Sequence, residues 1–220
     1  MSALGHLIVV EGPDGVGKST LVAALVNRLR DTGVDYHTYA FPGNEPSTLG
    51  SLVYRLHHEP QALGVVGLAP VALQTMHIAA HLDAIERVIR PRVRAGENIV
   101  LDRYWWSTWV YGTVSGIPRT TLDALIAVER TCWGTLQPLV VFLIDRPRPW
   151  CESADMPTWQ LLAGGYREIA NREQARCRVV VISSDAGPER IATEMASAVA
   201  SALSISIGSQ LGTPQARGDQ

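Results

Sequence analysis

Residues 12–19 read Gly-Pro-Asp-Gly-Val-Gly-Lys-Ser, the spacing G-x-x-x-x-G-K-[ST]. Those residue types suit one task. The glycines let successive backbone N–H groups turn inward as an anion nest at the start of a helix. The Lys18 ammonium then reaches the β- and γ-phosphates of a nucleoside triphosphate, and the Ser19 hydroxyl ligates magnesium. Gly12, Asp14, Gly15, Val16, Gly17, Lys18, Ser19 and Thr20 are therefore the expected cradle, with ATP and Mg2+ as its cofactors. Lys18 is also the only lysine; every other basic residue is an arginine. A coding bias that swaps Arg for Lys leaves a lysine only where Arg would not serve, and a P-loop is such a place.

A nest of this kind needs a buried strand before it and a helix behind it. Residues 6–10 are apolar and strand-like, and 18–32 carry Leu21, Leu25 and Leu29 on one helical face before Gly33 stops the run. Further strands are expected at 35–40, 98–101, 139–144 and 178–182. The run 139–144 lacks alternation and reads as central. Helices are expected at 48–58, at 71–90 with a stop at Pro91 and Gly96, from near Tyr104, and at 120–131, 158–176 and 188–203. Strands alternating with helices predict a parallel sheet covered on both faces. One domain over 1–204 is expected, with a flexible Gly, Ser, Gln and Pro-rich tail at 205–220.

Of the 220 residues 46% are hydrophobic and 18% charged, and the net charge is −2. That balance gives no broad basic face, which argues against a nucleic-acid partner and leaves room for a small anionic substrate. Cys132, Cys151 and Cys177 are odd in number, lack metal-type spacing and read as reduced thiols. The first residues lack a basic n-region, and no apolar run approaches the roughly 20 residues of a membrane span. A cytoplasmic location is expected.

A P-loop alone does not separate GTPases, motor ATPases and small-molecule kinases. With no lysine after Lys18, the chain cannot hold the Asn-Lys-x-Asp motif of guanine-specific GTPases. The segments VVEGPDGVGKST, FPGNEPSTLG, IERVIRPRV and LDRYWWSTWVYG together resemble the thymidylate kinase family of nucleoside monophosphate kinases. The likeness is close over about residues 5–112 and looser through VVFLID, GYREIA and VVVISSDAGPERIATEM. It implies an α/β fold, the P-loop NTPase three-layer sandwich, with a five-stranded parallel sheet of order 2-3-1-4-5 and helices on both faces. It also implies a homodimer in nucleotide biosynthesis that moves the γ-phosphoryl of ATP to a (deoxy)nucleoside 5′-monophosphate. A monophosphate has a second pKa near ~6 and is mostly dianionic at neutral pH. No strong base is then needed, and catalysis is positioning and charge neutralisation.

Residue by residue, the resemblance implies that Asp102 holds a magnesium-bound water and Arg103 faces the acceptor phosphate. Asp14 resembles the carboxylate that accepts from the sugar 3′-hydroxyl, and Ser107 and Tyr111 match acceptor-site positions. The departures fall together. His81 stands where the family has a base-reading arginine, His77 where it has a stacking phenylalanine, and Gly112 where it has a polar residue. Thymine is therefore not implied, and the base stays open. Trp105, Trp106 and Trp109 lie nearby, as core, dimer interface or stacking platform. The turn Asn44-Glu45-Pro46 lacks the family arginine, for which Arg55 is the candidate replacement. The lid region, 146–158, is short and Pro-rich and offers Arg146 and Arg148, while Gly15 leaves the P-loop without an arginine.

Two other readings stay open. A kinase acting on a hydroxyl, such as that of a nucleoside, needs a carboxylate base, for which Glu45 is the candidate. A nucleotide-binding regulator with weak catalysis would fit the thinned lid.

Overall fold

Strand β1 (Leu7–Glu11) is buried along its whole length and lies in the middle of a parallel sheet. In the computed structural model, which describes residues 4–43, 45–150, 155–183 and 186–211, it pairs with β3 (Asn98–Asp102) on one side and β4 (Val140–Ile144) on the other. Strand β2 (Tyr36–Ala40) lies outside β3, and β5 (Val179–Ile182) outside β4. The order is β2-β3-β1-β4-β5, the expected five-stranded sheet.

Burial on both faces explains why these strands are near-continuous apolar runs. Along β1 the side chains alternate. Leu7 and Val9 enter a core shared with α3 (Pro70–Ala84), α5 (Trp105–Val114), α6 (Arg119–Trp133) and α7 (Met156–Glu173). Ile8 and Val10 enter the opposite core, with α1 (Lys18–Arg30) and α8 (Pro188–Leu211). Helix α2 (Leu49–His58) packs against α3. Because the sheet is parallel, every strand delivers its C-terminal residues to one edge. Glu11, Phe41, Asp102 and Asp145 all leave their strands there.

The tryptophans on α5 are core residues: Trp105, Trp106 and Trp109 are all buried within the first cluster. Trp109 Nε1 donates to Asp123 Oδ1 at 3.0 Å, and the Arg130 guanidinium lies 4.5 Å from the Trp105 ring.

Three boundaries differ from expectation. The helix expected to stop at Pro91 and Gly96 passes Pro91 through a π-helical turn, Ile85–Ile89, into α4 (Arg90–Arg94), and ends just before Gly96, at φ 92°, as expected there. Proline lacks an N–H and clashes with the carbonyl four residues back; a widened turn just before it relieves both demands. Helix α7 starts earlier than expected, capped by Asp155, whose carboxylate accepts from Thr158 N at 3.2 Å. Helix α8 runs to Leu211, so the segment from 205 is helical where a flexible tail was expected. The remainder of that tail, 212–220, lies outside the described residues.

Candidate active site

The loop after β1 takes the nest conformation, with Gly12, Gly15 and Gly17 at φ 148°, 81° and 85°. At Gly12 the absence of a side chain is required, since a Cβ would sit 2.7 Å from the Ile144 carbonyl oxygen. Gly17 lies against the Trp150 ring in the same way. Val16 is fully buried in the α1-side core and anchors the loop. Lys18 is buried, and its Nζ donates to Pro13 O at 2.9 Å. Burial and the nearby Arg103 charge push its ammonium down to about 8. Phosphates bound in the nest would oppose that shift.

Ser19 Oγ donates to Asp102 Oδ2 at 2.7 Å, across the P-loop to the end of β3. Asp102 Oδ1 is buried without a hydrogen-bond partner among the described residues. A hydroxyl and a carboxylate with a spare lone pair are hard oxygen donors, the kind magnesium takes. Magnesium therefore fits at this pair.

Next on the chain, Arg103 sits at φ 81°, a backbone conformation costly for a non-glycine residue and typical of functional sites. Its amide donates to Val10 O at 3.0 Å, which ties it to β1. Its guanidinium donates to Asp14 Oδ1 and, at 3.3 Å, to Ser107 Oγ. Tyr111 OH donates to the other Asp14 oxygen at 2.5 Å. Burial works against the Asp14 carboxylate, but the Arg103 charge and the Tyr111 hydroxyl outweigh it and hold its pKa below the usual range. Arg103 is itself held above its ordinary value: burial opposes this, and Tyr166, Asp14, Tyr111 and Glu11 outweigh it.

These groups face one cavity of about 650 Å³. Asp14, Gly15, Gly17, Lys18, Ser19 and Thr20 line its P-loop wall, and Asp102, Arg103, Ser107 and Tyr111 the wall beside it. His77 and His81 line the same cavity. His81 Nδ1 lies 2.7 Å from Glu129 Oε2, and Phe41 stacks on its ring at 4.2 Å. Glu129 is fully buried and also accepts from Trp133 Nε1 at 3.1 Å. His77 Nε2 lies 3.3 Å from His57 Nδ1, and burial, with the surrounding histidines and Arg103, pushes its pKa down to about 3.

Some expected residues are not brought together. Arg55 is exposed and does not line the cavity; α2 instead presents Tyr54, His57 and His58 there, from a neighbouring phase of the helix. Glu45 is likewise exposed and outside the lining, and Asn44 lies outside the described residues. Arg148 is exposed. Arg146 is buried and stacks on the Trp150 ring at 4.5 Å, next to Gly17 but outside the cavity lining. The stretch between β4 and α7 and the first turn of α7 each make a hydrogen bond to the P-loop: Trp150 N donates to Gly15 O at 2.8 Å, and Trp159 Nε1 of α7 to Asp14 O at 3.0 Å. Residues 151–154 of the stretch, Cys151 included, lie outside the described residues; Cys132 and Cys177 are free thiols.

Sequence reasoning missed Glu11. It is fully buried beneath the nest and accepts from Tyr104 N at 2.8 Å, Ser107 N at 3.1 Å and Ser107 Oγ at 2.9 Å. Burial pushes its carboxyl up to about 7. The available signal was an acid closing an otherwise apolar strand.

A phosphate nest at the carboxyl edge of a 2-3-1-4-5 parallel sheet, faced by Asp102 and Arg103 from the adjacent strand, defines a P-loop phosphotransferase. The thymidylate kinase family profile matches residues 10–151. The chain is 32% identical to a thymidylate kinase of Caulobacter vibrioides, over 91% of this chain and 99% of the relative. It is 29% identical to one of Dinoroseobacter shibae, over 82% of this chain and 90% of the relative. A thymidylate kinase of Bradyrhizobium diazoefficiens is 28% identical, over 90% of each chain. The chain belongs to the thymidylate kinase family, and is a nucleoside monophosphate kinase with ATP as phosphoryl donor.

Proposed function

We propose that the enzyme moves the γ-phosphoryl of magnesium-bound ATP to the phosphate of a nucleoside 5′-monophosphate lying between Arg103 and the His77–His81 wall of the cavity. The observation that carries this reading is the Arg103–Asp14–Tyr111 cluster, set beside Lys18 in the same cavity. The P-loop amides and Lys18 hold the β- and γ-phosphates. Ser19 and Asp102 hold the metal, which when bound neutralises charge on the transferring phosphoryl group. Arg103 leaves Asp14 for the acceptor phosphate, and the freed Asp14 carboxylate accepts from the sugar hydroxyl. No protein base is required, because the attacking oxygen already belongs to an ionised phosphate. Arg146 and Arg148 are the candidates for charge neutralisation from the short lid. Arg146 has the better support, since its stack on Trp150 keeps it beside Gly17.

His77, His81, Ser107 and Tyr111 contact the acceptor nucleoside in this reading; Arg55 has no support from its position. The relatives' names make thymidylate the first acceptor to test, and the histidine wall is the reason to test others. A hydroxyl kinase using Glu45 has no supporting contact. A single kinase domain closed by α8, a homodimer, no nucleic-acid partner and a cytoplasmic site complete the proposal. Among the described residues, no helix is long and apolar enough to cross a membrane.

The test is a panel of nucleosides and nucleoside monophosphates with ATP and magnesium, scored for nucleoside diphosphate by chromatography. Diphosphate from at least one monophosphate supports the reading. Turnover of nucleosides alone would replace it.

A further inference from the structure

One fully buried carboxylate at the site, Glu11, belongs to none of the roles above. Glu11 ends β1, and its two oxygens serve two different elements. Oε1 accepts from Tyr104 N at 2.8 Å, the N-cap amide of α5, and from Ser107 N at 3.1 Å, in its first turn. Helix α5 has no side-chain cap of its own, so a carboxylate from another strand satisfies amides that a helix start leaves unpaired. Oε2 accepts from Ser107 Oγ at 2.9 Å and lies 3.4 Å from Gly12 N, the first amide of the phosphate nest. Ser107 Oγ in turn receives Arg103 at 3.3 Å and meets Tyr166 OH of α7 at 2.8 Å. One carboxylate thus joins the loop that holds the donor to the segment that carries Arg103.

We infer that Glu11 is a positioning residue that fixes the phosphate nest and the Arg103 guanidinium at the separation phosphoryl transfer needs. The inference rests on the kinase reading above. Its physical ground is that a carboxylate buried this completely is expensive unless its acceptors are used. Here they are used to couple two walls of one cavity. A misplacement of about 1 Å between reacting groups can cost ~10²-fold in rate, so a small slip of either wall would be felt in turnover. Lys18 of α1, Arg103 after β3 and Tyr166 of α7 are the titratable groups facing Glu11. The two cations favour its ionised form, and burial opposes it more strongly. The four-acceptor role belongs to the ionised form, which prevails only above about pH 7.

The test compares the full-length enzyme with Glu11→Gln and Glu11→Asp. In Glu11→Gln an amide NH2 replaces one acceptor oxygen, so one tie must break at nearly unchanged volume. Thermal midpoint, ATP affinity by direct titration, kcat, both KM values and the pH profile of kcat are measured. We expect Glu11→Gln to fold and bind ATP within about threefold of the parent, while kcat falls ~10–100-fold. The parent's kcat should decline as pH falls through about 7, and this decline should vanish in Glu11→Gln. The decline from the acceptor phosphate near pH ~6 remains in both. Glu11→Asp, which keeps the charge, should recover part of kcat and the pH response. A folded Glu11→Gln with parental kcat and profile overturns the inference. So does a loss explained by ATP affinity alone, and so does failure of both variants to fold, which would make the role purely structural. Absence of transfer in the parent enzyme would instead count against the kinase reading.

Discussion

The Ser19 hydroxyl lies 2.7 Å from Oδ2 of Asp102, so the end of the phosphate nest and the end of β3 meet at one oxygen-rich point. The remaining Asp102 oxygen is buried and unpartnered among the described residues. Asp102→Asn keeps the size and one acceptor but removes the charge that attracts a divalent cation. We expect it to weaken activation by magnesium and lower kcat together, by ~10–100-fold. Rate measured against magnesium concentration at fixed ATP checks this; an unchanged curve would remove Asp102 from the metal site.

Lys18→Ala should abolish transfer, a loss of ~10³-fold or more for a charge aimed at the transferring phosphoryl group. Stability should move the other way. The folded-state pKa of Lys18, about 8, is below that of a free lysine, so between these values the unfolded chain binds the extra proton. Stability from this group is therefore full above the free-lysine pKa and lost as pH falls through about 8. At pH 7 the buried charge is a cost to the nucleotide-free protein, and the variant's thermal midpoint should equal or exceed the parent's. Added ATP should raise the midpoint of the parent only.

His81→Arg should shift acceptor choice toward dTMP. Arginine can keep the Glu129 partner and adds donors to the cavity wall. The ratio of kcat/KM for dTMP over other monophosphates should rise by ~10-fold or more. An unchanged ratio would take His81 out of the base-reading position.

His77 gives a pH signature. Its folded-state pKa of about 3 is below the ordinary histidine value. The stability it contributes is complete above ~6.5 and is lost progressively as pH falls toward the folded value. In His77→Gln, the drop in urea midpoint between pH 7 and pH 4.5 should be smaller than in the parent. Equal drops would show that His77 is not held neutral.

The strand, nest and helix around Lys18 were readable because each rests on local pattern: apolar runs, a four-residue leucine spacing and glycine placement; the order of the sheet came instead from the family resemblance. Asp102 and Arg103 were singled out by the family resemblance of the segment that holds them, in keeping with their place at the end of β3. What was not readable depends on distance or helix phase. Glu129 meets His81 from 48 residues away, and periodicity says nothing of such a pair. The α5 tryptophans repeat with the helix whether they face a core or a ligand, and only packing decides. Arg55 and His57 differ by a fraction of a turn, enough to put one outside the cavity and the other on its wall. Pro91 reads as a helix stop unless the π-helical turn before it is known. Glu11 was hidden by belonging to a strand, where a terminal acid looks like an ordinary edge residue.

The most direct measurement is 31P NMR of ATP, magnesium and the best acceptor monophosphate with the parent enzyme. The account predicts that the monophosphate resonance is replaced by the paired resonances of a nucleoside diphosphate, alongside ADP, and that Lys18→Ala leaves the monophosphate intact. Diphosphate appearing equally fast with Lys18→Ala, or no diphosphate from any monophosphate while ATP is consumed, would contradict it.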